Sequence, residues 1–317
     1  MVSEFDLIAN YFTRPTRHTK LGVGDDAALI SPAHGMELAI SVDMLVAGTH
    51  FFHDTDAYNL GWKSLAVNVS DMAAMGANPK WTTLAIALPE INELWLSEFS
   101  RGFFACAEAF NIDLIGGDTT RGPLTISVQI MGEIPTGKAI KRSGAEAGDD
   151  IWVSGTLGSP ALALAHLQGK VAIAESALPA CLDALHTPMP RTALGLSLRD
   201  IANSCIDISD GLLADLGHIL EASNLGAQLN LDQLPCHDFL RERLGDPAFQ
   251  QYPLAGGDDY ELVFTAPESQ REKISQLSKQ LNLPLSLIGE TTKYLGLKVN
   301  YKNKTLAISK RGFDHFG

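Results

Sequence analysis

The spacing of apolar and polar positions changes several times along this 317-residue chain. Residues 37–43, ELAISVD, alternate and predict a half-buried strand. From 57 to 77, AYNLGWKSLAVNVSDMAAMGA sets apolar residues at helical spacing among many small ones, predicting a closely packed helix. Residues 81–89 and 124–134 read as strands. Between them NELWLSEFSRGFFACAEAF (92–110) predicts an amphipathic helix capped by Asn92. Polar, glycine-bearing residues 136–150 carry no period and mark a boundary. Beyond it IWVSG starts a strand, helices are expected at 159–168, 191–202 and 210–223, and AQLNLD, DYELVFTA, LSLIGE and LGLKVNY predict strands. The expectation is an α/β protein of two domains, 1–140 and 147–317, with mixed β-sheets. No repeat or low-complexity tract interrupts it.

Composition narrows the function. Apolar residues make up 45% and charged residues 19%, the balance of a folded chain. A formal charge of −13 argues against a nucleic-acid partner. Cys106, Cys181, Cys205 and Cys236 form no CxxC pair and fit no zinc spacing. They read as small buried residues in a reducing compartment. MVSEFDLIANYF lacks the apolar core of a signal peptide, and no stretch approaches 18 apolar residues, so a cytoplasmic protein with no membrane partner is expected.

The main chemical signal is aspartate beside glycine or serine at the ends of apolar stretches. It occurs as VGDDAA (Asp25, Asp26), SVDML (Asp43), VSDMAA (Asp71), IGGDTT (Asp118), DISDGL (Asp207, Asp210) and AGGDDYEL (Asp258, Asp259). One such motif reads as an ordinary turn. The recurrence, with doubled acids, points to a cation, because adjacent carboxylates repel unless neutralised. Mg²⁺ takes oxygen ligands and is held by a few carboxylates plus substrate phosphates. An acidic chain that gathers aspartates is thus expected to bind a polyanion through metal.

Two nucleotide motifs fall short. GVGDDA imitates a dinucleotide fingerprint with Asp43 downstream, but RPTRHTK is a poor first strand and Pro32 and Gly35 break the required helix. GEIPTGKA fits a phosphate loop until Ala139, where the magnesium-binding hydroxyl is needed.

GVGDDAALI, SVDMLVAGTHF, NVSDMAAMGA, LIGGDTTRGPL, IDISDGLLADLGHI, GGDDYEL and the terminal GFDHF together resemble the thiamine-monophosphate kinase family, in order along nearly the whole chain. The wider superfamily includes aminoimidazole ribonucleotide synthetase, selenophosphate synthetase and a hydrogenase-maturation protein. The N-terminal reactive cysteine of the second and the cysteine-bearing tail of the third are absent here. The resemblance implies an aminoimidazole ribonucleotide synthetase-like fold and a homodimer joined through the N-terminal domains. It implies a reaction of ATP with thiamine phosphate to give ADP and thiamine diphosphate. Another member of the superfamily, acting on a different metabolite, and a non-catalytic nucleotide or cation binder are the alternatives.

The resemblance also implies roles. Asp26, Ser41, Val42 (through its carbonyl), Asp43, Asp71, Asp207 and Asp210 would form the shell of several Mg²⁺ ions, with Asp118 a further ligand. Asp71 and Asp210 would carry catalysis. Gly117, Asp118, Arg142 and Ser209 would contact ATP, and His50 thiamine phosphate. Asp258 stands where the family commonly has glutamate as a substrate contact. An aromatic residue usually stacks on the thiamine near Lys310, and Phe313 is the nearest candidate. Taken alone, Asn68 and Asp71 share a helix face. Ser209 and Asp210 at a helix start read equally as caps or as phosphate neighbours. His50 reads as a turn histidine or a ligand, and Arg121 and Arg142 as solvated charges or phosphate forks.

Overall fold

The computed structural model describes residues 4–308 and 312–313. The chain divides into two units, one ending at Met72 and resuming over Ala77–Gly137, the other made of Ala73–Gly76 and the residues from Lys138 onward.

The first unit contains α1 (Glu4–Leu7), β1 (Met36–Val46), α2 (Ala57–Ala74), β2 (Asn78–Leu88), α3 (Glu93–Ala109), β3 (Asp113–Arg121) and β4 (Thr125–Pro135). Its strands lie in the order β1-β4-β2-β3. β4 runs antiparallel to both neighbours, and β2 is parallel to β3. α2 is buried on nearly every side, which explains its many small residues. At its crossing with α3 a Cβ on Gly61 would lie 2.0 Å from the Phe99 carbonyl, and one on Gly102 1.9 Å from that of Tyr58. No larger residue permits that approach. The expected cap forms, with Asn92 accepting from the Trp95 amide at 3.1 Å. β3 was not legible as a strand, because Gly116 and Gly117 erase its alternation. α2 stops three residues before the expected end, ahead of Gly76 at φ +65°.

The second unit contains β5 (Asp150–Ser154), α4 (Ser159–Leu167), α5 (Leu178–His186), α6 (Thr192–Leu198), β6 (Ser204–Asp207), α7 (Leu212–Ser223), β7 (Gly226–Asn230), α8 (Asp238–Arg241), α9 (Pro247–Ala255), β8 (Leu262–Ala266), α10 (Arg271–Leu281), β9 (Leu285–Thr292), β10 (Gly296–Tyr301) and β11 (Lys304–Thr305). The seven strands are ordered β11-β10-β7-β9-β5-β8-β6, and only β7 and β10 pair in parallel. Ile151, Val153, Ile206 and Val263 pack with Leu213, Leu216 and Leu229. The alternate residues Trp152, Cys205 and Phe264 pack with Leu194, Leu198 and Ile274. Both faces of the central strands are therefore covered, and β5, β6 and β8 are buried at every residue. Four-residue β6 carries too short a pattern to predict. The strand expected from 259 begins at Leu262, because Asp258 and Tyr260 take φ of +70° and +48°, outside strand geometry.

Candidate active site

In the first unit the Asp25–Asp26 doublet crowns a small loop closed by the Leu21–Leu29 bridge. Gly24 turns the chain at φ +122°, and Asp25 Oδ1 accepts the Asp26 amide at 2.9 Å. Both side chains are exposed. Behind them Ala28 and Ile30 pack on Trp81, Ile115 and Met131, anchoring the loop.

β1 and α2 bring the next acids together. Ser41 donates its hydroxyl to Asp71 Oδ2 at 2.5 Å, joining two of the predicted ligands. Asn68 accepts the Asp43 amide at 3.1 Å and donates to the Ser64 carbonyl at 3.1 Å. Fully buried, it ties the strand to the helix one turn from Asp71. His50 lies in the turn after β1, where its Nδ1 accepts the Val46 amide at 3.0 Å. That bond puts the proton of the neutral ring on Nε2.

Gly117 and Asp118 lie on β3, at the far edge of the same sheet. Gly117 has φ +153°, and a Cβ there would sit 1.8 Å from the Leu84 carbonyl. Asp43, Val128, Leu84 and Gly117 are successive cross-strand partners, so Asp118 points to the opposite face from Asp43. It is exposed there.

In the second unit Asp207 ends β6 and is buried, with Ser209 and Asp210 half-buried in the turn beyond. The residue at the cap position of α7 is Gly211, which has no side chain to cap with. Asp215 reaches back from the first turn, and its Oδ2 accepts the amides of Ser209, Asp210 and Gly211, each at 3.0 Å. The amides expected to favour phosphate are thus engaged by a carboxylate of the chain itself. Burial pushes the Asp215 carboxyl up to about 7, against the pull of those amides. Its sequence signal was an acid in the first helical turn after a glycine.

The GGDDYEL segment runs alongside this turn. The Asp258 amide donates to the Ser209 carbonyl and the Tyr260 amide to the Ile208 carbonyl, both at 2.8 Å. Tyr260 donates its hydroxyl to Asp258 Oδ1 at 3.3 Å. The Phe313 amide donates to the Asp210 carbonyl at 3.0 Å, and the residue is 48% exposed, so an aromatic residue stands at this turn. Lys310 and the DHF of the terminal motif lie outside the described residues. Arg142 is exposed, and its carbonyl accepts the Ser223 hydroxyl at 3.4 Å.

Every predicted metal donor is an oxygen, as a hard cation requires. Among the described residues no three acidic, histidine or cysteine side chains form a group that could hold a metal. Mg²⁺ usually takes one or two carboxylates and completes its shell with water and phosphate. Pairs such as Ser41 with Asp71 fit an ion that arrives with a polyphosphate.

Comparison with known proteins bears on the family and the fold. The family model for the AIR synthase related protein N-terminal domain matches residues 24–134, and that for the C-terminal domain matches 146–302. The thiamine-monophosphate kinase of Salmonella typhimurium is 46% identical over 319 residues, 99% of this chain and 98% of that protein. That of Escherichia coli K12 is 45% identical over 318 residues, with the same coverage. The crystal structure of thiamine-monophosphate kinase from Stenotrophomonas maltophilia superposes with a TM-score of 0.84 at 47% identity, covering 91% of this chain and 92% of that one. A structure described as AaThiL complexed with AMPPCP and TMP superposes with a TM-score of 0.78 at 30% identity, covering 93% and 92%. The hydrogenase maturation protein HypE of E. coli, at 22% identity, has a TM-score of 0.78 over 96% of this chain and 95% of its own and shares the fold. With both domain models matched and full-length relatives above 40% identity, the chain belongs to the thiamine-monophosphate kinase family.

Proposed function

We propose that this protein transfers the terminal phosphoryl group of ATP directly to thiamine phosphate, giving ADP and thiamine diphosphate. The full-length identity to thiamine-monophosphate kinases carries the reading, and the relative complexed with AMPPCP and TMP supports the pairing of substrates. A phosphate oxygen of thiamine phosphate attacks the γ-phosphorus in line as the bond to ADP breaks. Phosphate monoesters have a second pKa of about 6, so the acceptor is already ionised at neutral pH and needs no strong base. The chain's task is alignment of two anions.

In this reading Gly117, Asp118, Arg142 and Ser209 hold ATP, while His50, Asp258 and Phe313 hold thiamine phosphate. The hydrogen bond from the Val46 amide to His50 Nδ1, which puts the ring proton on Nε2, supports the role of this histidine. Asp26, Ser41, the Val42 carbonyl, Asp43, Asp71, Asp118, Asp207 and Asp210 would hold several magnesium ions, with Asp71 and Asp210 the acids on which turnover depends. Bound magnesium supplies neutralisation of the phosphoryl oxygens. Of these proposed contacts, residues 1–140 and residues 147–317 each carry a share.

The reading includes a homodimer through the first unit. β1 is an edge strand of eleven residues, and Ile40, Val42 and Met44 are exposed on one of its faces. Such an edge invites pairing. β1 and β3 are three strand spacings apart, about 14 Å. A metal held by both Asp43 and Asp118 would therefore take Asp118 from a second copy. No helix among the described residues is long and apolar enough to cross a membrane. Four buried cysteines without disulfides support a cytoplasmic location.

The test is an assay of purified protein with ATP, Mg²⁺ and a panel of phosphorylated acceptors. Thiamine diphosphate should form together with ADP. Turnover of another acceptor with none of thiamine phosphate would overturn the proposal. A solution mass near twice 34.1 kDa is expected, and a clean monomer would remove the dimer.

A further inference from the structure

Asp259 is the second acid of GGDDYEL, next to the proposed substrate contact Asp258. It is 9% exposed. Its Oδ1 accepts the Gly158 amide at 2.8 Å, at the N-terminus of α4. Its Oδ2 is buried with no hydrogen-bond partner. A buried carboxyl half satisfied is an unfavourable choice for a mere turn, where glycine would serve.

The backbone around it is unusual as well. Asp258 has φ +70° and Tyr260 φ +48°, so two residues with side chains occupy the left-handed region on either side of Asp259. For a bulky residue such as Tyr260 this is an outlier that persists only where surroundings impose it. The surroundings are tight. A Cβ on Gly257 would lie 2.5 Å from the Ser209 carbonyl, one on Gly256 2.4 Å from Ala161 Cβ, and one on Gly158 2.7 Å from the Pro253 nitrogen. The Asp259–Gly158 bond ties the segment to α4, as the Asp258–Ser209 bond ties it to the turn after β6.

We propose that Asp259 is a positioning residue, whose bond to the Gly158 amide locks the 257–260 turn so that Asp258 is presented to the acceptor substrate. The inference rests on the proposed substrate role of Asp258. Because a neutral acceptor suffices for that bond, an amide can replace the acid. Burial, reinforced by the charges of Glu261, Asp258 and Asp215, raises the Asp259 carboxyl well above the usual range and agrees with a neutral side chain.

The experiment compares steady-state kinetics of the wild type, Asp259→Ala and Asp259→Asn. Wild-type turnover of thiamine phosphate establishes the underlying reading, and its absence would sink that reading on its own. Given an active wild type, Asp259→Ala should raise KM for thiamine phosphate about tenfold, with kcat and KM for ATP changed less than about threefold, the signature of lost substrate binding. Asp259→Asn, which keeps an acceptor for Gly158, should restore KM to within about threefold of wild type. Equal rises in both KM values, or an unchanged KM for thiamine phosphate in the alanine variant, would overturn the proposal. So would an asparagine variant as impaired as a well-folded alanine variant. If Asp259→Ala does not fold, Asp259→Asn alone decides, and a tenfold rise of its KM for thiamine phosphate refutes the role.

Discussion

The tripeptide Gly-Asp-Asp occurs at 24–26, 148–150 and 257–259, and the chain folds the first and the last in two opposite ways. In the first, glycine takes the left-handed turn, both acids are exposed, and the doublet is held by a single local bond. In the last, the first aspartate takes the left-handed turn, and the next acid is buried and bonded to an amide 101 residues away. The lesson is that a doubled carboxylate has no fixed meaning. An exposed pair can close on a cation without reorganising a core. A pair with one buried member spends its second acid on holding the first.

Three experiments bear on that contrast. The largest effect is expected at the acids meant to meet metal and phosphate. Asp71→Asn should lower kcat by about 10³-fold, the scale of losing one preorganised charged group, with its circular dichroism unchanged. Near-normal turnover would place the metal site elsewhere than around Ser41 and Asp71. Next comes the contrast itself, read as stability. Asp259→Ala leaves the Gly158 amide without its partner and should cost about 1–2 kcal/mol in denaturant unfolding. Asp25→Ala should stay within about 0.5 kcal/mol, as surface changes do. Equal losses would erase the distinction between the two doublets.

The smallest effect concerns pH. Burial alone would raise the Glu133 carboxyl, but the Ala33 amide and the Lys80 ammonium at 3.1 Å hold it below the usual range. A depressed acid stabilises the fold above its unfolded pKa of about 4.3, and that contribution is lost as pH falls through the folded value. The stability gap between wild type and Glu133→Gln should therefore close in acid. Asp215, raised to about 7, has the opposite sign. Its contribution is complete below its unfolded pKa of about 3.9 and declines as pH rises toward the folded value. Unfolding free energies of Asp215→Asn against wild type between pH 4 and pH 7 check this, and parallel curves would show that the acid does not titrate on folding.

Much of the frame was legible in the residues alone. Amphipathic α3, its Asn92 cap, alternating β1 and the aspartate turns carry their signals within a few neighbouring positions, and local sterics and hydrogen bonds act over that range. Two-domain α/β organisation followed from where those signals stop and restart. The chemistry of the proposed donors was also set locally, since aspartate and serine oxygens suit a hard cation wherever the chain puts them.

Tertiary structure decided the rest. It set the Gly-Asp-Asp turn at 257–259 apart from that at 24–26, because the packing of α4 against 256–259 helps to bury Asp259. It brought Asp215 back onto the amides of Ser209, Asp210 and Gly211, because a carboxylate one turn along reaches three amides at once. It made β3 a strand despite its glycines, since Gly117 presses on the Leu84 carbonyl of β2. It set Asp43 and Asp118 on opposite edges of one sheet, a consequence of strand order, which is fixed by contacts far apart in sequence and leaves no trace in local spacing.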